Sequence, residues 1–312
     1  MNVDMRDAFF ERLVEVAKDD PRIVFLSADH GAFALHEFET SMPERYINVG
    51  ISEQNMIGVA AGLAASGKIV FAYGISPFVS LRVMEQLTLD VAAMRLPVNI
   101  VSVGAGFTYS TDGPTHHGLQ DLPAVLTIPG LAILNSSDPV NTRVFAEHVV
   151  DSRQPHYIRI EKGVFPALEL AETFDVEKGF SVARSGGRIL LISTGSIVHE
   201  IVRALPEIEE SLGERVTLID LFAPCKAGEE PLRAYLREAT AVYTVEESYA
   251  RGIASVVGEI IALNGFRAPL KAIHAALSYY YASGDRDHLR KTGHLDANSI
   301  AARFRAPHDL SR

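Results

Sequence analysis

The chain has 312 residues, 47% of them hydrophobic, and a formal net charge of -10 at pH 7. This length can bury a large core and fits two domains, since a domain commonly has about 100–200 residues. The acidic balance argues against nucleic-acid or anionic-membrane binding, because both use basic patches. The single cysteine, Cys225, excludes an intrachain disulfide, and no apolar run predicts a signal region or a membrane span, so we expect a cytoplasmic protein.

The first half of the chain alternates between helical and strand patterns. It predicts helices over about Met5–Ala17, from Glu53, over Val79–Met94 and over Val140–Val150, and strands over Ile23–Ser27, Tyr46–Val49, Ile69–Ala72, Val98–Val103, Ala132–Leu134 and Tyr157–Ile160. Such alternation is typical of a parallel sheet with helices on both faces. We therefore predict a three-layer α/β domain over residues 1–165.

The pattern lapses between Glu161 and Arg188, where turn-forming residues predict a domain boundary. A second series follows, with strands at Arg188–Ser193, Val216–Asp220, Ala241–Glu247 and Leu270–Ile273, and helices to about Glu210, from Glu229 and over Gly252–Ala262. This series predicts a second three-layer α/β domain over residues 180–312, and we expect its sheet to be mixed.

The segment INVGISEQNMIGVAAGLAASG predicts a strand that runs into a helix at Glu53. Ser52 can cap this helix, and Gly67 ends it. A carboxylate at such a corner faces the sheet edge where parallel sheets bind ligands. The alternative is that Glu53 only stabilises the helix dipole. The run of Gly and Ala after Glu53 favours a site, because it lets another backbone or subunit approach closely.

Two further segments carry candidate site residues. Phe78, in YGISPFVSLR, fits an ordinary core position at the start of a helix by its spacing alone. Asp112, His116 and His117 lie in TDGPTHHGLQD, a loop whose Gly and Pro residues fix its backbone shape. Adjacent histidines on a regular element point in different directions, so we predict that these residues bind no metal.

INVGISEQNMIGVAAGLA and DGPTH together resemble the transketolase family of thiamine diphosphate enzymes. The resemblance implies that Glu53 hydrogen-bonds the aminopyrimidine ring of thiamine diphosphate and activates the cofactor. It places Phe78 beneath this ring, where an aromatic face can stack. It also implies cofactor contacts from Asp29 and Gln86.

The resemblance also assigns contacts to the sugar substrate. It implies that His116 acts near the reacting carbonyl, as a neutral imidazole that donates or shuttles a proton. Asp112 and Arg6 are implied as substrate contacts. His117 stands where the family usually has Gln, and we include it among the substrate-binding candidates.

Two positions depart from the family's phosphate-binding set. Gly104 replaces a usual histidine, and Glu161 or Lys162 replaces a usual arginine. A glutamate at that position would repel a phosphate. We therefore expect a substrate that differs from the pentose phosphates, and an uncharged ketose, a sugar with a differently placed anion and a nucleotide-linked sugar are all compatible with the sequence.

A complete transketolase also has a GDG motif in a domain that holds the diphosphate and a divalent cation, and this sequence has no such motif. The resemblance therefore implies a partner subunit that binds the diphosphate and Mg²⁺ or another divalent cation, in an α2β2 heterotetramer. The predicted function is transfer of a two-carbon ketol unit from a ketose to an aldose. The alternatives are another thiamine diphosphate carboligase, the β subunit of a 2-oxoacid dehydrogenase, or a non-catalytic partner.

Overall fold

The first domain is built on a parallel sheet. The computed structural model describes residues 3–305, so the predicted domain ends at residues 1 and 312 lie outside the described residues. The strands are β1 (Val3–Asp4), β2 (Ile23–Ser27), β3 (Tyr46–Asn48), β4 (Ile69–Ile75), β5 (Val98–Val103), β6 (Ala132–Asn135), β7 (His156–Ile160) and β8 (Val164–Phe165). Six of them form a sheet in the order β3-β2-β4-β5-β7-β6, with every neighbouring pair parallel, while β1 and β8 form a separate antiparallel pair.

Helices cover both faces of this sheet. They are α1 (Met5–Asp19), α2 (Leu35–Ser41), α3 (Glu53–Ala65), α4 (Met84–Gln86), α5 (Asp121–Val125) and α6 (Pro139–Ser152). Residues of α1, α2 and α6 share one buried cluster with alternate side chains of the strands, and residues of α3 and α5 share another. This arrangement follows from strands whose successive side chains point to opposite faces, both of them apolar.

The second domain repeats this plan with one reversed strand. Its strands are β9 (Ser181–Arg184), β10 (Ile189–Thr194), β11 (Val216–Asp220), β12 (Ala241–Tyr249) and β13 (Leu270–Ala275), and its helices are α7 (Val198–Leu212), α8 (Glu230–Glu238), α9 (Ile253–Asn264), α10 (Arg286–Thr292) and α11 (Ala297–Arg305). The sheet order is β13-β12-β10-β11-β9, and β9 runs antiparallel to β11. The predicted α/β fold with a mixed second sheet is therefore confirmed.

One buried cluster joins the two domains. It contains α3 and strand residues of the first sheet together with residues of β9, β10, α8 and α9. A shared core of this kind keeps the domains in a defined relative position, because separating them would expose apolar surface. None of the helices in residues 3–305 is long and apolar enough to cross a membrane.

The predicted helix Val79–Met94 is wrong in its form. A turn covers residues 76–80, a 3₁₀ helix spans Leu81–Val83, and a π-helix spans Leu87–Ala92 after α4. Val83, Leu87 and Val91 still reach the core at every fourth position, which is why the sequence reads as one helix. The sequence analysis also missed β1, α2, α5, β8, β9, α10 and α11.

Candidate active site

The predicted site residues follow strands whose carboxyl ends share one sheet edge. Asp29 follows β2, Glu53 opens the helix after β3, Phe78 follows β4, and His116 lies in the long loop after β5. Loops at this edge of a parallel sheet converge because the strands all point the same way. The topology therefore brings together segments that are far apart in the sequence.

The corner before Glu53 is shaped by Asn48, which sequence reasoning did not identify. Asn48 Oδ1 accepts hydrogen bonds from the backbone amides of Asp29 at 3.2 Å and Gly50 at 2.9 Å. Gly50 has φ of +73°, a left-handed conformation that glycine adopts easily. The predicted Ser52 cap is wrong: the Ser52 hydroxyl donates to the carbonyl of Val49 at 2.9 Å and makes no capping bond.

The two carboxylate oxygens of Glu53 have different surroundings. Glu53 is 2% exposed, and its Oε2 accepts a hydrogen bond from Arg82 Nη1 at 2.6 Å. Its Oε1 is buried and has no hydrogen-bond partner among residues 3–305. An unpartnered buried oxygen is costly, so its presence indicates a place for a ligand donor.

Phe78 and His116 meet at this site. Phe78 lies in the turn after β4, half-buried, and not at a helix start. Its ring is 5.1 Å from the imidazole of His116, edge to face. The guanidinium carbon of Arg82 lies 4.3 Å from the Phe78 ring centroid. The half-buried ring and the imidazole thus lie beside the buried carboxylate that Arg82 also contacts.

His30 is a further residue of this site that the sequence analysis missed. It directly follows Asp29, and its Nε2 is buried without a hydrogen-bond partner in the described part of the chain. Burial lowers the pKa of His30, while the charges of Glu53 and Asp29 act to raise it and that of His116 to lower it further. The sequence contained one sign of this role: His30 follows Ser27, Ala28 and Asp29, where strand β2 ends.

The loop after β5 turns its two histidines apart. His116 faces Phe78, whereas His117 is buried against Phe107, with a ring separation of 5.3 Å. Gly118 anchors the loop, since a Cβ there would lie 2.4 Å from the backbone oxygen of Gly104. The two histidine side chains therefore point in different directions, as expected. The buried position of His117 does not support a substrate role for this residue.

The remaining predicted residues occupy different positions. The Arg6 side chain pairs with Asp7 at 3.3 Å, and Tyr73 and Tyr109 lie near it. Asp112 is exposed in the loop after β5, and Asp29 is exposed after β2 with φ of +60°.

Gln86 lies on α4 with its Oε1 buried and unpartnered, and no hydrogen bond in residues 3–305 joins it to Glu53. The functional roles of Arg6, Asp112, Asp29 and Gln86 stay predictions.

The two positions that depart from the family's phosphate set have structural replacements. Gly104 has φ of +107°, and a Cβ there would lie 2.5 Å from the ring of Tyr109, so Tyr109 fills the space of a side chain. Glu161 is buried and forms an ion pair with Arg286, while Ser196 donates its backbone N–H to Glu161 at 3.3 Å. Glu161 is therefore paired with a cation in the folded chain, and its effect on a phosphate stays a prediction.

Acidic and histidine side chains do not cluster as metal ligands in the described chain. No group of three or more His, Cys, Asp or Glu side chains within residues 3–305 is arranged to hold a metal ion. A carboxylate, an imidazole and an aromatic face instead suit a heteroaromatic ring with hydrogen-bonding nitrogens.

Known proteins match the whole described fold. Residues 1–166 match the transketolase pyrimidine-binding domain and residues 179–300 match the transketolase C-terminal domain. One of the subunits of an apulose-4-phosphate transketolase from Actinobacillus succinogenes is 32% identical over 294 residues, which cover 93% of this chain and 94% of that protein. A 6-deoxy-6-sulfo-D-fructose transketolase subunit of a Clostridium species is 32% identical over 312 residues, with 98% and 94% covered.

A solved structure agrees with these matches. A split-gene transketolase, solved as an inactive β4 tetramer, superposes with a TM-score of 0.85 and 25% identity, and all of both chains is covered. Family and fold therefore rest on independent comparisons of sequence and of structure. The chain belongs to the transketolase family of thiamine diphosphate-dependent transferases, as a subunit that carries the pyrimidine-binding and C-terminal domains.

Proposed function

We propose that Glu53, Phe78 and His116 form the pyrimidine side of a thiamine diphosphate site in a two-subunit transketolase. The observation that carries this proposal is the buried, unpartnered Oε1 of Glu53 beside an aromatic ring. A ring nitrogen of the aminopyrimidine is a partner of the right chemistry for this oxygen. The residues present therefore fit the group that the family implies.

When bound, thiamine diphosphate supplies the nucleophilic carbon that allows a bond beside a ketose carbonyl to be broken. Glu53 binds the ring nitrogen and holds a proton there, and Phe78 supports the ring plane. His116 lies at the edge of Phe78 and can donate to, or accept a proton from, a sugar oxygen. His30 is a second imidazole near the same charges, and its buried Nε2 has no hydrogen-bond partner among residues 3–305.

We propose that the substrates are a ketose donor and an aldose acceptor whose terminal group is bound differently from that of the pentose phosphates. The support is local: Tyr109 fills the space at Gly104, and Arg286 neutralises Glu161. Arg6, which pairs with Asp7, is the cation proposed for an anionic group of the substrate. The named relatives act on apulose 4-phosphate and on a sulfonated fructose, which is consistent with a changed terminal group.

We propose a cytoplasmic α2β2 assembly in which the partner binds the diphosphate and a divalent cation. Relatives of nearly the same length are named as subunits, and the superposed β4 tetramer is described as inactive. On this proposal the isolated chain holds only one end of the cofactor. It therefore binds thiamine diphosphate weakly until the diphosphate-binding subunit is present.

Calorimetric titration of thiamine diphosphate and Mg²⁺ tests the assembly. The chain is purified from its native host through an affinity tag, with and without its co-purifying subunit, and tight binding is expected only for the complex. Tight binding by the isolated chain would contradict the two-subunit site.

Glu53→Gln in the complex tests the role of the carboxylate. Turnover is expected to fall by about 100-fold or more with assembly preserved, the scale of losing an acid–base group. Glu85→Gln, an exposed carboxylate on the neighbouring segment, is the matched control. Unchanged turnover in Glu53→Gln removes this residue from the mechanism.

A further inference from the structure

Arg82 contacts both groups that the proposed function assigns to the cofactor ring. Its Nη1 donates to Glu53 Oε2 at 2.6 Å, and its guanidinium carbon lies 4.3 Å from the centroid of the Phe78 ring. Its backbone carbonyl accepts a hydrogen bond from Gln54 Nε2 at 3.2 Å. Arg82 is thus connected at its side chain and its main chain to the start of α3.

The pairing with Arg82 makes the oxygens of Glu53 inequivalent. Oε2 is engaged by a charged donor, while Oε1 is buried with no partner among residues 3–305. A free carboxylate could rotate and exchange its oxygens, but a charge-assisted bond at one oxygen fixes the plane of the group. The oxygen that remains available is therefore the same one in every molecule.

The guanidinium also supports Phe78. This ring lies in a turn and is only half-buried, so core packing alone does not hold its plane. A planar cation on an aromatic face adds a specific attraction and a defined orientation. One side chain therefore sets the relative position of a carboxylate from α3 and an aromatic ring from the β4 turn.

We propose that Arg82 is a positioning residue that fixes Glu53 and Phe78 for the pyrimidine ring and leaves Oε1 of Glu53 to the ring nitrogen. This inference rests on the proposed function of Glu53. The opposite arrangement has Arg82 itself in the place of the ring, so that it must leave before the cofactor binds. The buried Oε1 favours positioning, because Arg82 leaves this oxygen without a partner and so open to a donor on the ring.

Cofactor binding to the complex with the diphosphate-binding subunit separates these arrangements. Arg82→Met keeps an unbranched side chain of similar length but removes the charge and the donors, whereas Arg82→Lys keeps the charge and a single donor group, the ammonium. The dissociation constant of thiamine diphosphate with Mg²⁺ is measured by calorimetry. Circular dichroism of the bound cofactor reports the amino and imino forms of its ring, independently of turnover.

For Arg82→Met we expect a dissociation constant raised by about 10–100-fold, the scale of losing a charged hydrogen bond, and a loss of the imino signal. Arg82→Lys should restore most of both. The matched control is Arg233→Met, since Arg233 pairs with Glu230 at the same 2.6 Å but on the exposed surface of α8. The control should change neither quantity.

Two results overturn the inference. If Arg82→Met binds thiamine diphosphate more tightly, Arg82 occupies the position of the pyrimidine ring in the free chain. If neither the dissociation constant nor the imino signal changes, Arg82 has no role in the site. Glu53→Gln distinguishes this failure from failure of the proposed function. If Glu53→Gln loses the imino signal while Arg82→Met keeps it, only the role of Arg82 fails; if both keep it, the role of Glu53 fails as well.

Discussion

Replacing Arg286 with Met should destabilise the chain strongly. Arg286 opens α10 and pairs with Glu161 after β7 and, at 2.9 Å, with Glu247 on β12. Glu161 and Glu247 are 2% and 4% exposed. Arg290 still pairs with Glu247 in the variant, at 2.6 Å, but Glu161 keeps only the N–H of Ser196. The change therefore leaves a buried carboxylate without a cation.

The expected loss is large on the scale of single substitutions. Removing one partner from a buried ion pair costs about 3–5 kcal/mol, because the remaining charge loses its compensation and stays desolvated. For a chain of this size such a loss lowers the midpoint of thermal unfolding by roughly 10 °C. An exposed pair such as Arg233 with Glu230 should contribute less than about 1 kcal/mol.

A double-mutant cycle with Glu161→Met measures this interaction. Unfolding free energies are determined for Arg286→Met, Glu161→Met and the double variant, with Arg233→Met as the control. The double variant should recover much of the loss, since apolar residues can replace a buried ion pair at little cost. A loss below about 1 kcal/mol in Arg286→Met, or additive effects of the two changes, would refute the buried-pair reasoning.

The same cluster of Glu247, Arg286 and Arg290 makes the stability of the fold depend on pH in a predictable direction. Burial acts to raise the pKa of Glu247, but Arg286 and Arg290 outweigh it and lower that pKa to about 2. A carboxyl whose folded pKa is depressed stabilises the fold above its unfolded pKa, and this stability is lost as pH falls toward the folded value. Acid unfolding should therefore begin below about pH 4.5, the ordinary value for Glu. Arg286→Met should make this acid-dependent loss smaller, because Arg290 alone then lowers the pKa of Glu247.

Three further changes test other parts of the structure. Gly104→Ala should cost about 1–3 kcal/mol by denaturant unfolding, because φ is +107° and Tyr109 occupies the space; no loss would mean that the loop is not constrained there. Burial raises the pKa of Asp220 to about 8, so the stability that this group contributes should decrease as pH rises from about 4 to 8, and the difference in unfolding free energy between the native chain and Asp220→Asn should follow that decrease. Burial lowers the pKa of His156 to about 3, so the stability that this group contributes should decrease as pH drops below about 6.5, and an equal pH dependence in His156→Gln would contradict that assignment.

Much of the fold is readable from the order of residues. Apolar strands such as Val98–Val103 and Val216–Asp220 have the bounds that their patterns predict, and alternation of strands with helices implies parallel sheets. The segments around Glu53 and His116 are also recognisable, since each is a short continuous motif. Local periodicity and local motifs carry this information because backbone geometry repeats within a few residues.

Pairings between distant side chains were decided only by the folded chain. The sequence contains Glu53 and Arg82 but does not show that they contact each other. It also suggested that Glu161 is a repelling charge, because its partner Arg286 comes from the other domain and is distant in the sequence. Tyr109 in the space above Gly104 is a third case. Such contacts have no period along the chain, since they depend on where separate strands end and how two domains pack.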